Sequence, residues 1–227
     1  MTPAITPDIM PLLTADWLHA ALSLVIITDL ALLGAEHHRL CIRLIALQGL
    51  LMGLLPVMAG GSEVTLYLVG MSCIFVCIKA LILPWLLRRT DRQLPPHAPH
   101  EPYVGYSACV LLGVVGLVLS LWLGGRLGIA ANPLFSLLFP VGMATIISGI
   151  LLIVTRRETL SQMFGYLVLE NGIFLMGVPM VQEDALWLEL SILLDILVAA
   201  FVMGIAIHHI HRAFDSTDVD NIASLRD

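Results

Sequence analysis

The stretch Val64-Thr-Leu-Tyr-Leu-Val-Gly-Met-Ser-Cys-Ile-Phe-Val-Cys-Ile-Lys79-Ala-Leu-Ile-Leu-Pro84-Trp-Leu-Leu87 carries one formal charge in an otherwise apolar run, and that charge is the only lysine of the chain. About 20 mostly apolar residues suffice to cross hydrocarbon as a helix, so the run reads as a membrane span with an ammonium near its middle. Such a group costs roughly 2.5–3.5 kcal/mol on insertion scales, which makes an intramembrane ionisable residue a candidate for function. Composition points the same way. With 227 residues, 59% hydrophobic, 12% charged and a mean hydropathy of +0.95, the chain has more apolar surface than an ordinary water-soluble core can hide. The fold class is an all-α integral membrane protein whose first partner is the lipid bilayer. Its net charge of -6 comes from a scarcity of bases and not from an acidic tract, and it gives no basis for a nucleic-acid partner.

Seven transmembrane helices can be drawn on the same criterion: Trp17 to Ala35, Leu40 to Ala59, Val64 to Leu87, Val104 to Leu123, Pro133 to Val154, Thr159 to Val178 and Leu186 to Ile207. The segment Met1 to Asp16 lacks the basic start of a cleavable signal, so the first run is expected to be retained. Short cytoplasmic loops accumulate Lys and Arg. Arg39, Arg43, Arg88, Arg89, Arg92, Arg156, Arg157, Arg212 and Arg226 fall on one side and only Arg126 on the other. That distribution predicts an N-out, C-in topology.

The connection Arg88 to Tyr103 holds four prolines and is expected to form a stiff cytoplasmic linker. It divides an N-terminal three-helix unit, 1–87, from a four-helix unit, 104–227. Both triplets of helices, runs one to three and five to seven, have arginines after the first helix, an acidic loop after the second and an ionisable residue in the third. Parallel repeats do occur in transporters. Side-chain identity between the triplets is poor, however, and shared topology accounts for the pattern more simply.

Two carboxylates share the predicament of Lys79. At 1.5 Å per residue, Lys79 lies roughly 14 Å from Arg88, Glu170 roughly 20 Å from Arg157 and Asp195 roughly 16 Å from Asp184, all in the middle of a core about 30 Å thick. Groups held there can belong to a proton relay, or they can form a static ion pair that pins helices together. Asn171 adds two donors and an acceptor beside Glu170. Asp29 is a fourth candidate but a shallower one, as suited to a solvated carboxylate as to a relay. Pro84 should free the carbonyl of Ala80 one residue from Lys79, and Gly165, Gly172 and Gly177 should allow close helix approach around Glu170.

Cys41, Cys73, Cys77 and Cys109 contain no Cys-x-x-Cys pair suited to zinc or an iron–sulfur cluster, and they read as small packing residues. His37 and His38, with His208, His209 and His211, read as interfacial polar anchors more readily than as metal ligands. No cofactor and no metal site is expected.

The stretch Thr155-Arg-Arg-Glu-Thr-Leu-Ser-Gln-Met-Phe-Gly-Tyr-Leu-Val-Leu-Glu170-Asn-Gly resembles the arginine-pair, Gly-Tyr, Leu-Glu-Asn signature of the E component of hydrogenase-4-type and formate hydrogenlyase complexes, which are group 4 nickel–iron hydrogenases. The tail Asp218-Val-Asp-Asn-Ile-Ala-Ser-Leu-Arg226 and the Lys79, Leu81, Pro84 pattern are similar to the same subunit. The resemblance is closest over 155–226 and looser over 75–90. It implies a relation of the last three helices, a core over 133–212, to the K-type (4L) subunit of complex I and to the C subunit of multisubunit sodium/proton antiporters. In those relatives acidic residues of the second and third helices lie on a lateral proton path; here they correspond to Glu170 and Asp195. One departure is visible, because Leu167 occupies the place of the K-type glutamate and Glu170 lies one turn further on, a shift of roughly 5 Å on the same face.

The resemblance implies a membrane subunit of a complex I-like hydrogenase in a bacterial inner membrane, not itself a hydrogen-cleaving enzyme. Its partners would be antiporter-like and quinone-reductase-H-like membrane subunits and a hydrophilic hydrogenase arm, and its proton (or cation) pathway would use Glu170, Asp195, Lys79, Asn171 and Asp29. A purely structural scaffold and an independent small cation transporter are the alternatives.

Overall fold

The computed structural model describes residues 9–59, 66–93, 102–126, 133–178, 193–196, 198 and 204, and their regular structure is entirely helical. Hydrocarbon offers backbone groups no partners, and a helix satisfies them within one segment. Helix α1 (Ile9–Gly34) turns through residues 35–37 into α2 (His38–Ala59). Next comes one continuous rod made of α3 (Leu66–Val76), a π-helical turn (Cys77–Ile82) and α4 (Leu83–Gln93). Helices α5 (Tyr106–Arg126), α6 (Pro133–Thr155) and α7 (Thr159–Gly177) follow.

The third run departs from its sequence reading in two ways. It does not stop at Leu87, because no proline intervenes before Pro95, and Arg88 to Gln93, expected as the start of the linker, are helical. Pro84 is accommodated by a change of helix type, with the Leu83 N–H bonded to the Ile78 carbonyl five residues back. Residues 94–101, the main part of the predicted linker, lie outside the described residues.

Among the described residues, five helices are long and apolar enough to cross a membrane: Trp17–Gly34, His38–Met58, Leu68–Arg92, Tyr106–Arg126 and Ser136–Thr155. They coincide with the first five predicted runs. Helix α7 is the sixth run, its apolar character diluted by Gln162, Glu170 and Asn171. The seventh falls for the most part outside the described residues, of which 193–196, 198 and 204 are helical.

Small residues set the closest approaches. A Cβ on Gly172 of α7 would lie 2.7 Å from the Gly142 carbonyl oxygen of α6, and one on Gly165 would lie 2.8 Å from that of Gly149. On α2, Gly49 and Gly53 form a small-xxx-small pair against the rod. A Cβ on Gly49 would sit 2.7 Å from the Lys79 carbonyl oxygen. Helix α5 lies outside α1 and α6, exposing Leu111, Val115, Val118 and Trp122 as a lipid-facing helix would.

Two apolar clusters fill the bundle, and α1, α2, the rod, α6 and α7 each divide between them. On α1, Leu18, Leu22 and Val25 belong to one cluster, and Leu32 and Leu33 to the other. On α2 the pattern repeats with Met52 and Leu55 against Cys41, Ile42 and Ile45. The rod contributes Phe75 on one side of its π-turn and Leu83, Leu86 and Leu87 on the other, and α7 contributes Phe174 and Leu175 against Leu160, Phe164, Leu167 and Val168. The cluster containing Leu33 and Leu160 adjoins the arginine-bearing helix ends. Between the clusters runs a polar layer.

Candidate functional site

Lys79 is the centre of that layer. The π-turn brings its side chain inward, only 3% exposed, and its Nζ donates to Glu170 Oε1 at 2.9 Å and to Asn171 Oδ1 at 2.8 Å. Asp195 faces the same ammonium, with Oδ1 at 3.4 Å, and the Phe75 ring lies 5.0 Å from Nζ. Glu170 and Asp195 are buried. Four residues predicted as site members, from three segments distant in sequence, therefore converge. Single-turn π-helices occur often at functional sites, where the wider turn re-aims a side chain. Here the turn also sets the Lys79 carbonyl against Gly49, which lets α2 bring its next polar residue, Gln48, into the layer.

From Asn171 the layer continues across the bundle. Asn171 Nδ2 donates to Gln48 Oε1 at 3.3 Å, and Gln48 Nε2 donates both to Asp29 Oδ1 at 2.6 Å and to Thr28 Oγ1 at 3.0 Å. The Thr145 hydroxyl on α6 lies 2.7 Å from Asp29 Oδ2 and 2.9 Å from the Val141 carbonyl, and its one hydrogen can serve only one of them. Asp29 is 3% exposed, so the reading of it as a shallow, solvated carboxylate is corrected: α2 and α6 close over it and supply its hydrogen bonds. The sequence reading missed Gln48 and Thr145. Their depth was the available signal, since Gln48 lies nine residues from Arg39 and Thr145 eleven from Arg156, close to the nine between Lys79 and Arg88.

The two ends of the layer differ. Both Asp29 oxygens have hydrogen-bonding neighbours, whereas Glu170 Oε2 and both Asp195 oxygens have no hydrogen-bond partner among the described residues. Two carboxylates facing one ammonium also leave a place for one proton that neutralises the group.

At the arginine-bearing end the sequence motif has structural work. Arg156 Nη2 donates to the carbonyls of Leu33, at 2.9 Å, and Ala35, at 3.3 Å, satisfying the exposed end of α1, and its guanidinium lies over the Tyr106 ring. His38 bridges Asp91 at 2.9 Å and Glu158 at 2.6 Å, which ties the ends of α2, α4 and α7 together. No group of three or more His, Cys, Asp or Glu suited to a metal occurs among the described residues. His208, His209 and His211 lie outside them. Cys41 and Cys109 are buried, Cys73 and Cys77 exposed, and all four are free thiols.

Comparison with known proteins bears on what such a layer belongs to. Residues 137–227 match the family NADH-ubiquinone/plastoquinone oxidoreductase chain 4L. Hydrogenase-4 component E of Escherichia coli (strain K12) is 24% identical over 204 residues, 89% of this chain and 94% of the relative. The chain is a homologue of hydrogenase-4 component E. An uncharacterized Mycobacterium tuberculosis protein is 27% identical over 210 residues, 89% of this chain and 92% of its own length. Likeness to component E therefore extends well beyond the 155–226 motif and takes in Asp29, Gln48 and Lys79. The chain 4L region takes in Thr145, Glu170, Asn171 and Asp195. No solved structure matches the chain.

Proposed function

We propose that the chain is a non-catalytic membrane subunit of a complex I-like hydrogenase, and that the end of its polar layer at Lys79, Glu170 and Asp195 is a segment of a lateral path for protons within the bilayer. The supporting observation is the position of the layer. Apolar clusters lie on both sides of it along α1, α2, the rod, α6 and α7, so charge can enter or leave sideways, through helix faces that neighbouring subunits cover, and not along the membrane normal. Glu170 and Asp195 exchange the proton beside Lys79, while Asn171 and Asp29 hold the far side of the network. No redox cofactor resides in this chain; electron transfer belongs to the hydrophilic hydrogenase arm. Its membrane partners are antiporter-like and quinone-reductase-H-like subunits of a bacterial inner membrane.

The units 1–87 and 104–227 are the two halves that the layer joins, the second with a K-type-like core over 133–212. Seven spans with the N-terminus outside follow from the arginine distribution. Labelling of engineered cysteines in intact cells is expected to reach the Gly60-Gly61 and Gln182 loops and to spare Pro95-Pro96; labelling of Pro95-Pro96 from outside contradicts this topology.

A scaffold reading draws on the direct Lys79–Glu170 bond, which a locked pair would share. The independent transporter has less support, because a transporter needs access along the normal. Purification in mild detergent separates the readings: tight co-purification with hydrogenase and antiporter-like subunits is expected, and ion flux by the chain alone in vesicles would overturn the subunit reading.

A further inference from the structure

Every hydrogen bond between Lys79 and Asp29 runs in the same direction. Lys79 Nζ donates to Asn171 Oδ1, Asn171 Nδ2 to Gln48 Oε1, and Gln48 Nε2 to Asp29 Oδ1. Both ends dictate this polarity. An ammonium has donors only, so it requires the carbonyl of Asn171, and an ionised carboxylate is an acceptor only, so it requires the amino group of Gln48. Thr28 adds a lock. Its hydroxyl hydrogen is engaged by the Val25 carbonyl at 2.8 Å, which leaves its oxygen to accept from Gln48 Nε2. The Gln48 amide thus has acceptors for its donors on one side and a donor for its carbonyl on the other, and reversing it would oppose like groups at each contact.

An amide bridge of this kind transmits polarisation but does not hand on protons. Amides are absent from the groups that serve as general acids and bases, and a proton crossing Asn171 and Gln48 would have to protonate a carbonyl and strip an amide nitrogen twice in series. Hydrogen-bonded chains in a low-dielectric interior do strengthen one another. We propose that Gln48 is a positioning residue whose amide, in series with that of Asn171, couples the charge of Asp29 to Lys79 while barring protons from passing between them. Proton exchange at Lys79, Glu170 and Asp195 is then separated from Asp29 by the two amides. This inference rests on Lys79 being the centre of the charge path, but its test reads only Lys79 and Asp29, so it can fail or stand independently of any coupling to a hydrogenase.

The single lysine makes the test direct. With 15Nζ-lysine incorporated, the full chain in lipid bilayers gives one side-chain ammonium resonance by solid-state NMR. Asp29→Asn is expected to move that resonance in the otherwise unaltered chain and to leave it in place when Gln48 is replaced by methionine, a side chain of similar length without the amide. Equal displacement in both backgrounds would mean that Asp29 acts through space and would overturn the bridge; no displacement in either would overturn the coupling itself. The unsubstituted chain supplies a second measurement that does not depend on a variant folding. Through-space correlations are expected from Lys79 Nζ to the Asn171 side-chain carbonyl carbon and from Gln48 Nε2 to the Asp29 carboxyl carbon. Their absence, or Asn171 Nδ2 lying nearer Lys79 than Oδ1, would overturn the proposal.

Discussion

The polar layer has a closed end and an open one. At Asp29, the Gln48 amide of α2 and the Thr145 hydroxyl of α6 each engage one carboxyl oxygen. At Glu170 and Asp195, three oxygens have no hydrogen-bond partner among the described residues although a cation stands beside them. Burial is nearly equal at the two ends, so burial does not explain the difference. The partners differ: Asp29 meets neutral amide and hydroxyl groups, whereas Glu170 and Asp195 share one ammonium. The open end also lies in the region matched by chain 4L, while Asp29 lies outside it.

The largest expected effect comes from removing the cation that both ends share. Lys79→Met leaves buried carboxylates uncompensated, a change that typically costs about 3–5 kcal/mol, and the yield of assembled complex should fall steeply. Adding Asp195→Asn sharpens the comparison. If Lys79 and Asp195 act as a unit in translocation, the second change does little further harm; if the pair only pins helices, it restores assembly, and additive losses would contradict both versions. A smaller effect is expected from Gly49→Val, which drives a side chain into the Lys79 carbonyl. Overpacking of this kind costs about 1–3 kcal/mol, and here it should also part Gln48 from Asp29, so that thermal stability falls together with the Asp29-dependent shift of the lysine resonance. Thr145→Val should have the smallest effect, about 1 kcal/mol of stability, because Asp29 keeps its bond to Gln48. Translocation in that variant should be unchanged, and a loss of pumping with stability intact would move Asp29 to the conducting side.

Much of this layer was legible in the sequence, but unevenly. Lys79, Glu170 and Asp195 are conspicuous because a formal charge inside an apolar run has few innocent explanations, and counting 1.5 Å per residue placed them at one depth. The glycines of α7 were legible for a related reason, since small residues on a membrane helix mark close approach. Asp29 was left open between a solvated carboxylate and a relay member, because depth along its own helix says nothing of which neighbours cover it. Gln48 and Thr145 carry no charge, and their importance is a property of the contacts α2 and α6 make with α1. The π-turn was foreshadowed only as a freed carbonyl at Ala80; whether a helix leaves such a group open or widens to absorb the proline is decided by packing, here by the approach of Gly49.

The contrast between the two ends is tested most directly by proton translocation coupled to hydrogen turnover in assembled complexes carrying Glu170→Gln or Asp29→Asn. Each substitution keeps the shape of the side chain and removes one titratable group. The account predicts that Glu170→Gln assembles, retains hydrogen turnover and loses most of its translocation, while Asp29→Asn weakens translocation only partially, through Lys79. Full translocation by an assembled Glu170→Gln complex would contradict it.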